Sequence, residues 1–211
     1  MTRPDAGDPV ALLVRAVDDI TRRTRGRTPV GLSHDEADAA DGSFRTDDAI
    51  GFDPLPVLRA LDTRGAPVVV MGQVAGIMHG SKEPTGDLDL LWNGDPALSS
   101  VLADAFGSLA ALVSDGDGES VPCTAAAFLL PKVLFRTTSA SGDCCTPQLP
   151  WGGLDIPGII DRAEVAHGDD GLKIRYVAKA DLVTMRRVAG RPRDRRRAQE
   201  LTALLDDGDG P

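Results

Sequence analysis

The sequence is short of aromatic residues. They make up 4% of the 211 residues, whereas hydrophobic residues as a whole make up 42%. A chain of this length and apolar content can bury one core. The shortage of aromatics predicts that Val, Leu, Ala and Ile form most of that core, and one domain with appendages is the expected organisation.

Cysteine and histidine are also scarce, with three residues of each. Cys144 and Cys145 are adjacent, so the sequence contains no disulfide framework, and the histidines lie too far from the cysteines to give a zinc-binding spacing. No signal peptide or long apolar run is recognisable. We therefore expect a reducing cytoplasmic location and no membrane partner.

A net positive charge is missing as well. The formal net charge is −9, which argues against nonspecific binding to nucleic acid by bulk electrostatics. Between residues 186 and 197, however, seven arginines accompany a single acid, Asp194. This local basic patch predicts binding of one phosphate group. Pro192, inside the patch, argues against a helix-turn-helix arrangement.

Two carboxylates stand out among the residues that are present. Asp87-Leu88-Asp89 lies on an apolar run that ends with Leu90-Leu91-Trp92. Side chains two apart on a strand leave the same face, so the two acids repel each other unless a cation lies between them. Mg²⁺ is held in this way, through one or two carboxylates and substrate phosphates. We therefore expect Mg²⁺, or Mn²⁺, at Asp87 and Asp89.

The segment upstream of these acids predicts a strand over residues 67–71, a turn at Gly72 and a short helix over residues 73–79. A helix that begins after a glycine turn presents free backbone N–H groups to an anion. A phosphate-sized site facing a metal-sized site indicates nucleotide chemistry.

These residues resemble the DNA polymerase β-like nucleotidyltransferase superfamily, and more closely its minimal nucleotidyltransferases and AbiEii-type toxins. The similar first block is Met71-Gly72-Gln73, thirteen intervening residues and Asp87-Leu88-Asp89-Leu90. The second block is Asp181-Leu182-Val183-Thr184-Met185-Arg186 followed by Gly190-Arg191-Pro192-Arg193-Asp194. The resemblance covers residues 53–205 and implies an α+β fold, with a nucleotidyltransferase-like mixed β-sheet flanked by helices and a helical C-terminal segment.

The resemblance also implies site residues. An acidic group would carry catalysis, with Asp87 and Asp89 also holding the metal, and a second group would bind the nucleotide. The acidic group is Asp87, Asp89, Asp143 and Asp194, and the second group is Gly72, Gln73, Ser81, Lys82, Thr85, Arg186 and Arg191.

Three positions depart from the superfamily pattern. Gln73 replaces a small residue, and Arg186 stands where lysine is frequent. Cys145 aligns with the expected third acid, so Asp143, which shares its strand parity, is the substitute if the strand extends that far. Asp155 is a weaker candidate for the same role.

Two functions stay open at this point. The first is an enzyme that moves a nucleoside monophosphate from a nucleoside triphosphate to a hydroxyl of an RNA end or a protein, as a toxin-like component with an antitoxin partner. The second is a degenerate nucleotidyltransferase fold that binds a nucleotide or a partner without turnover.

The chain divides into three predicted parts: an N-terminal helix and flexible linker over residues 1–50, a core over residues 51–178, and C-terminal helices with an acidic tail over residues 179–211. The first helix, capped by Asp8-Pro9, can pack on its own domain, on a partner copy or on an antitoxin. The other predicted elements are helices from Asp53-Pro54 to Gly65 and over residues 97–112, 179–189 and 193–205, and strands over residues 87–92, 132–137 and 173–177.

Overall fold

The computed structural model describes residues 7–32 and 43–206. The fold is α+β, as the sequence predicts: helices flank one mixed β-sheet, and two further helices form the C-terminal segment. Residues 33–42 of the predicted linker and residues 207–211 of the predicted tail lie outside the described residues.

The helices include those predicted from the capping signals, with one addition. The helix predicted over residues 97–112 is shorter than expected, because its last residue begins a strand, and the helix that follows Asp155 was not predicted. In chain order the helices are α1 Pro9–Thr24, α2 Leu55–Arg64, α3 Gly72–Met78, α4 Ser99–Ser108, α5 Ile156–Asp161, α6 Lys179–Ala189 and α7 Pro192–Asp206, with short 3-10 turns at Ser43–Arg45, Asp47–Ala49 and Ala127–Leu129.

The described strands form one eight-stranded sheet in the order β4-β3-β5-β6-β2-β1-β8-β7. The β1–β8 and β2–β6 pairs are parallel and the other neighbouring pairs are antiparallel. The strands are β1 Val68–Val70, β2 Leu88–Trp92, β3 Leu112–Asp115, β4 Ser120–Val121, β5 Lys132–Arg136, β6 Ser141–Cys145, β7 Glu164–His167 and β8 Lys173–Tyr176.

Local signals in the sequence account for where several helices begin and end. Asp8 Oδ1 accepts a hydrogen bond from the backbone N–H of Val10 at 2.9 Å, and Asp53 Oδ1 accepts one from Leu55 at 2.9 Å. Gly65 and Gly190 end α2 and α6 in the left-handed conformation, where a side chain would be strained. The ends of α6 and α7 position the arginine run described below.

The core is largely aliphatic, as expected, and it covers both faces of the central strands. Residues of β1 and β2 such as Val69 and Leu90 are fully buried. The few aromatic residues are concentrated: the ring of Phe106 in α4 stacks on Phe128 at 5.1 Å and meets Phe135 of β5 at 4.8 Å. This cluster fixes α4 against the half of the sheet that contains β5 and β6.

The N-terminal helix belongs to this core. Leu13 and Ile20 of α1 are 1% and 2% exposed and lie in the same apolar cluster as the sheet residues. The helix contacts α3 and β7. Of the alternatives that the sequence left open, packing on its own domain is the one observed.

Adjacent residues of α1 provide a test of this packing. We expect Leu13→Ala to lower the free energy of unfolding by about 2–4 kcal/mol, because it removes buried methyl groups and leaves a cavity. Val14 is 40% exposed, so Val14→Ala is the matched control and should change stability by less than about 0.5 kcal/mol. Urea unfolding monitored by circular dichroism measures both. Equal effects of the two substitutions would mean that α1 is not packed as described.

Candidate active site

A cavity of about 470 Å³ lies where the sheet meets α3, α6, α7 and the loop over residues 150–154. Eight of the eleven predicted site residues line it: Gly72, Gln73, Asp87, Asp89, Asp143, Arg186, Arg191 and Asp194. The other three, Ser81, Lys82 and Thr85, are not among the lining residues. The structure therefore brings together the two sequence blocks, which lie about a hundred residues apart.

The acid cluster consists of Asp87, Asp89 and Asp143. In the parallel β2–β6 pair, Asp89 is the register partner of Asp143, so the two carboxylates leave one face of the sheet side by side. The condition for Asp143 as third acid is met, because β6 extends from Ser141 to Cys145. Thr85, which is fully buried, donates a hydrogen bond to Asp87 Oδ1 at 2.6 Å.

The like charges in this cluster oppose one another. Burial, and then the neighbouring carboxylates of Asp87 and Asp143, raise the pKa of Asp89 well above its usual value. Keeping Asp89 ionised therefore costs free energy in the unliganded protein. A bound cation would remove that cost.

Gly72 makes a close backbone approach to this cluster possible. Its φ angle is +61°, and a Cβ added there would overlap the Asp89 carboxylate at Oδ2. Any other residue would strain the backbone and displace the carboxylate. The glycine is thus required both by its conformation and by the acid that lies against it.

Lys132 is a cavity residue that the sequence analysis did not identify. Its Nζ lies 2.7 Å from Asp143 Oδ2, and it also lines the cavity. Burial lowers the pKa of Lys132, but the neighbouring Asp143 carboxylate raises it by more, so the pKa lies above its usual value. The ammonium is therefore charged at neutral pH. The β5–β6 hairpin, which turns at residues 137–140, brings it there through its register, and the sequence analysis did not assign that register.

Two further cavity residues missed from the sequence are Arg193 and Arg197 of α7. Each is only 7% exposed, and neither Arg193 Nε nor Arg197 Nη2 has a hydrogen-bond partner. Burial, then the positive charges of Arg191 and Arg197, lower the pKa of Arg193. A buried unsatisfied donor costs about 1–3 kcal/mol, so an anion that accepted hydrogen bonds from these guanidinium groups would remove that cost. Their spacing of four residues, one helical turn, was the signal available in the sequence.

Arg186, by contrast, is tied into the framework. Its guanidinium donates to the Arg197 carbonyl at 3.0 Å, to the Gly72 carbonyl at 3.1 Å and to Gln73 Oε1 at 2.7 Å. Burial, reinforced by the charge of Arg197, lowers the pKa of Arg186 to about 10. Arg191 is half-exposed and pairs with Asp194 at 2.5 Å. Asp194 thus holds Arg191 at the rim of the cavity.

The loop over residues 81–83 fastens α7 to the body of the protein. Ser81 Oγ donates to Glu200 at 2.7 Å and accepts from Gln73 Nε2 at 2.9 Å. The backbone N–H of Lys82 donates to Glu200 at 3.0 Å, and Glu83 pairs with Arg197 at 2.8 Å. In this structure Ser81 and Lys82 support the helix that carries the cavity arginines.

An apolar wall completes the cavity. Trp151 is half-buried and its ring N–H donates to the Thr146 carbonyl at 2.9 Å, which leaves the ring as a flat hydrophobic surface. Val188 is 46% exposed although it is a large apolar residue. The wall consists of Pro150, Trp151, Leu154, Leu182, Met185 and Val188.

The donor set fits a metal held by two protein ligands. Within residues 7–32 and 43–206, no group of three or more His, Cys, Asp or Glu side chains is placed to hold a metal ion. Asp87 and Asp89, with the raised pKa of Asp89, remain as a carboxylate pair. Mg²⁺ is commonly bound through one or two carboxylates, with water and substrate phosphates completing its octahedron.

No protein-family model matches the chain, and no curated protein matches it. The resemblance to nucleotidyltransferases therefore depends on the motif residues and their arrangement. Among the described helices, none combines the length and the apolar character needed to cross a membrane.

The contact between Gly72 and Asp89 yields a prediction with a built-in control. Gly72→Ala and Gly65→Ala are comparable because the backbone φ angles are similar, +61° at Gly72 and +66° at Gly65. A Cβ at Gly72 would overlap other atoms, whereas a Cβ at Gly65 would meet none. We expect Gly65→Ala to cost about 1–2 kcal/mol of backbone strain, and Gly72→Ala to cost at least about 1 kcal/mol more. Urea unfolding measures the difference. Equal losses would show that the carboxylate moves aside freely.

Proposed function

We propose that this protein is a metal-dependent nucleotidyltransferase that moves a nucleoside monophosphate from a nucleoside triphosphate to an acceptor hydroxyl. One observation carries the proposal: a single cavity is lined both by the acid cluster and by two buried arginines. Each of these arginines has one nitrogen without a hydrogen-bond partner, Nε of Arg193 and Nη2 of Arg197. The acid cluster favours binding of a cation, and the two arginines favour binding of an anion. A triphosphate with its divalent cation supplies both in one ligand.

The apolar wall supports a nucleotide rather than a free phosphate. Nucleobases stack on aromatic and apolar side chains, with about 1–3 kcal/mol gained per base. Trp151 presents such a surface, and Met185 and Val188 continue it. The volume of about 470 Å³ lies in the range of small-molecule sites.

The charges of the cavity assign roles for the transfer. The acceptor oxygen bonds to the α-phosphorus, and the bond from that phosphorus to the bridging oxygen breaks. Pyrophosphate leaves, and the hydroxyl proton passes to water. Arg193 and Arg197 bind the leaving phosphates and balance their growing charge. Asp87 and Asp89 would hold the metal, which would polarise the phosphate oxygens and neutralise charge when bound. Asp194 positions Arg191 at the rim.

A second candidate function is binding without turnover. It is favoured by the ion pair between Lys132 and Asp143. Because Asp143, the third acid, is paired with Lys132, the metal would have Asp87 and Asp89 as its carboxylate ligands. On this alternative the fold holds a nucleotide or a partner chain and performs no transfer. The acceptor, an RNA end or a protein hydroxyl, the antitoxin partner and the cytoplasmic location stay predictions.

Label transfer tests the proposal directly. The wild-type protein, incubated with Mg²⁺, total RNA and each α-³²P-labelled nucleoside triphosphate in turn, should transfer label to RNA or to protein. We expect Asp87→Asn/Asp89→Asn to reduce transfer at least about a hundredfold, because it removes the metal ligands and their charge. Asp104→Asn, at an exposed position of α4, is the matched control and should retain activity.

Two outcomes would count against the enzyme. Transfer that persists in the double variant would exclude Asp87 and Asp89 as metal ligands. Absence of transfer to any acceptor, together with intact nucleotide binding by the wild type, would favour the binding function instead.

The role of the buried arginines is tested by comparing two positions on α7. Arg193→Ala should raise the Kd for the nucleoside triphosphate about tenfold to a hundredfold, since a hydrogen bond to a charged group contributes about 1.5–3 kcal/mol. Arg195→Ala makes the same change in net charge at an exposed position outside the cavity and should change Kd less than about twofold. Isothermal titration calorimetry measures both. A similar weakening by the two variants would mean that only the general charge of α7 matters.

A further inference from the structure

We propose that Lys132 is a fixed cation that restricts the acid cluster to a single divalent metal ion. This inference rests on the proposed function, because it concerns how the same cavity holds its metal. Its test counts bound metal and does not depend on turnover.

The sheet register places the ammonium inside the cluster. Lys132 of β5 pairs directly with Cys145 of β6. Asp143 lies two residues before Cys145 on β6, so its side chain leaves the same face of the sheet. Lys132 and Asp143 are therefore diagonal neighbours on that face. From there its Nζ reaches Asp143 Oδ2 at 2.7 Å. Its side chain is 32% exposed and that of Asp143 is 22% exposed, so this pair is shielded more than an ion pair on the open surface.

The count of charges sets the capacity of the site. Three carboxylates carry three negative charges when all are ionised, and the Lys132 ammonium balances that of Asp143. Two-metal sites for phosphoryl transfer hold their ions about 3.5–4 Å apart, so they require carboxylates that are shared or additional. With Asp143 paired to Lys132, the remaining two carboxylates match one divalent cation.

The geometry of the donor groups agrees with this count. Nowhere in the described part of the chain do three acidic, His or Cys side chains form a group that could hold a metal, although Asp143 is the register neighbour of Asp89. The Lys132 ammonium lies 2.7 Å from Asp143 Oδ2, so this carboxylate already has a cationic partner. On this inference, the ammonium takes the place of a second metal ion.

The experiment counts Mn²⁺ ions bound to the full chain, by electron paramagnetic resonance and equilibrium dialysis with Mn²⁺ alone. The wild type should bind one ion per chain, and Lys132→Met should bind two, since the neutral side chain releases Asp143. Lys132→Arg keeps the positive charge and should stay at one. Lys173→Met, at an exposed position of β8, is the matched control and should also stay at one.

A double variant identifies the source of the added site. Lys132→Met/Asp143→Asn should return to one ion, because the released carboxylate is gone. Binding of two ions by the wild type, of none, or of only one by Lys132→Met would overturn the inference. Urea unfolding of each variant establishes that the proteins compared are folded.

The same preparation separates this inference from the proposed function. Two ions in the wild type together with label transfer would overturn the role of Lys132 and leave the enzyme intact. One ion in the wild type, two in Lys132→Met and no transfer to any acceptor would support the role of Lys132 and count against the enzyme.

Discussion

The buried guanidinium of Arg186 is the interaction on which the arrangement of the cavity depends. It joins α6, where it originates, to the carbonyl of Arg197 in α7 and to Gly72 and Gln73 at the start of α3. A lysine could not replace it, because three bonds in different directions require the planar, many-donor guanidinium. Gly76 leaves the necessary space, since a Cβ there would lie 2.5 Å from an Arg186 nitrogen. This junction therefore ties both α7 and the turn at Gly72 to α6, in addition to the contacts of α7 with the loop over residues 81–83.

Two departures from the superfamily pattern are explained by this junction. Gln73, in place of a small residue, accepts the bond from Arg186 with Oε1 and donates through Nε2 to Ser81 and to the Glu83 carbonyl. The two unexpected residues are therefore partners, and neither can be interpreted alone. Both are buried in the framework. On the proposed function, Arg193 and Arg197 would bind the phosphates instead, since Arg193 Nε and Arg197 Nη2 have no hydrogen-bond partner.

How far the fold and the site could be predicted depended on whether the signal was local. Caps such as Asp8 and terminating glycines such as Gly190 marked helix ends, because a cap acts within one turn of its helix. The short strands β3, β4 and β7 carry little periodicity and form through pairing with distant segments, so they were missed. In the site, Asp87 and Asp89 were identified from strand alternation together with the glycine turn and the second sequence block. The alignment of Asp143 with Asp89 depends on the order of strands in the sheet, which no local pattern contains. The approach of Lys132 to Asp143 depends on the register of the β5–β6 hairpin, which the sequence analysis did not assign.

The cavity keeps opposite charges close without letting all of them neutralise one another. Asp194 holds Arg191, Glu83 holds Arg197 through Nε, and Lys132 holds Asp143. In each of these pairs, an acidic and a basic side chain neutralise each other. What remains is a carboxylate with a raised pKa and two guanidinium nitrogens without partners. Both are costly in an unliganded fold, and a protein selected only for stability would pair them or replace them with apolar residues. Their coexistence in one cavity, on elements locked by Arg186, is the physical reason to infer a ligand that carries a cation and an anion together.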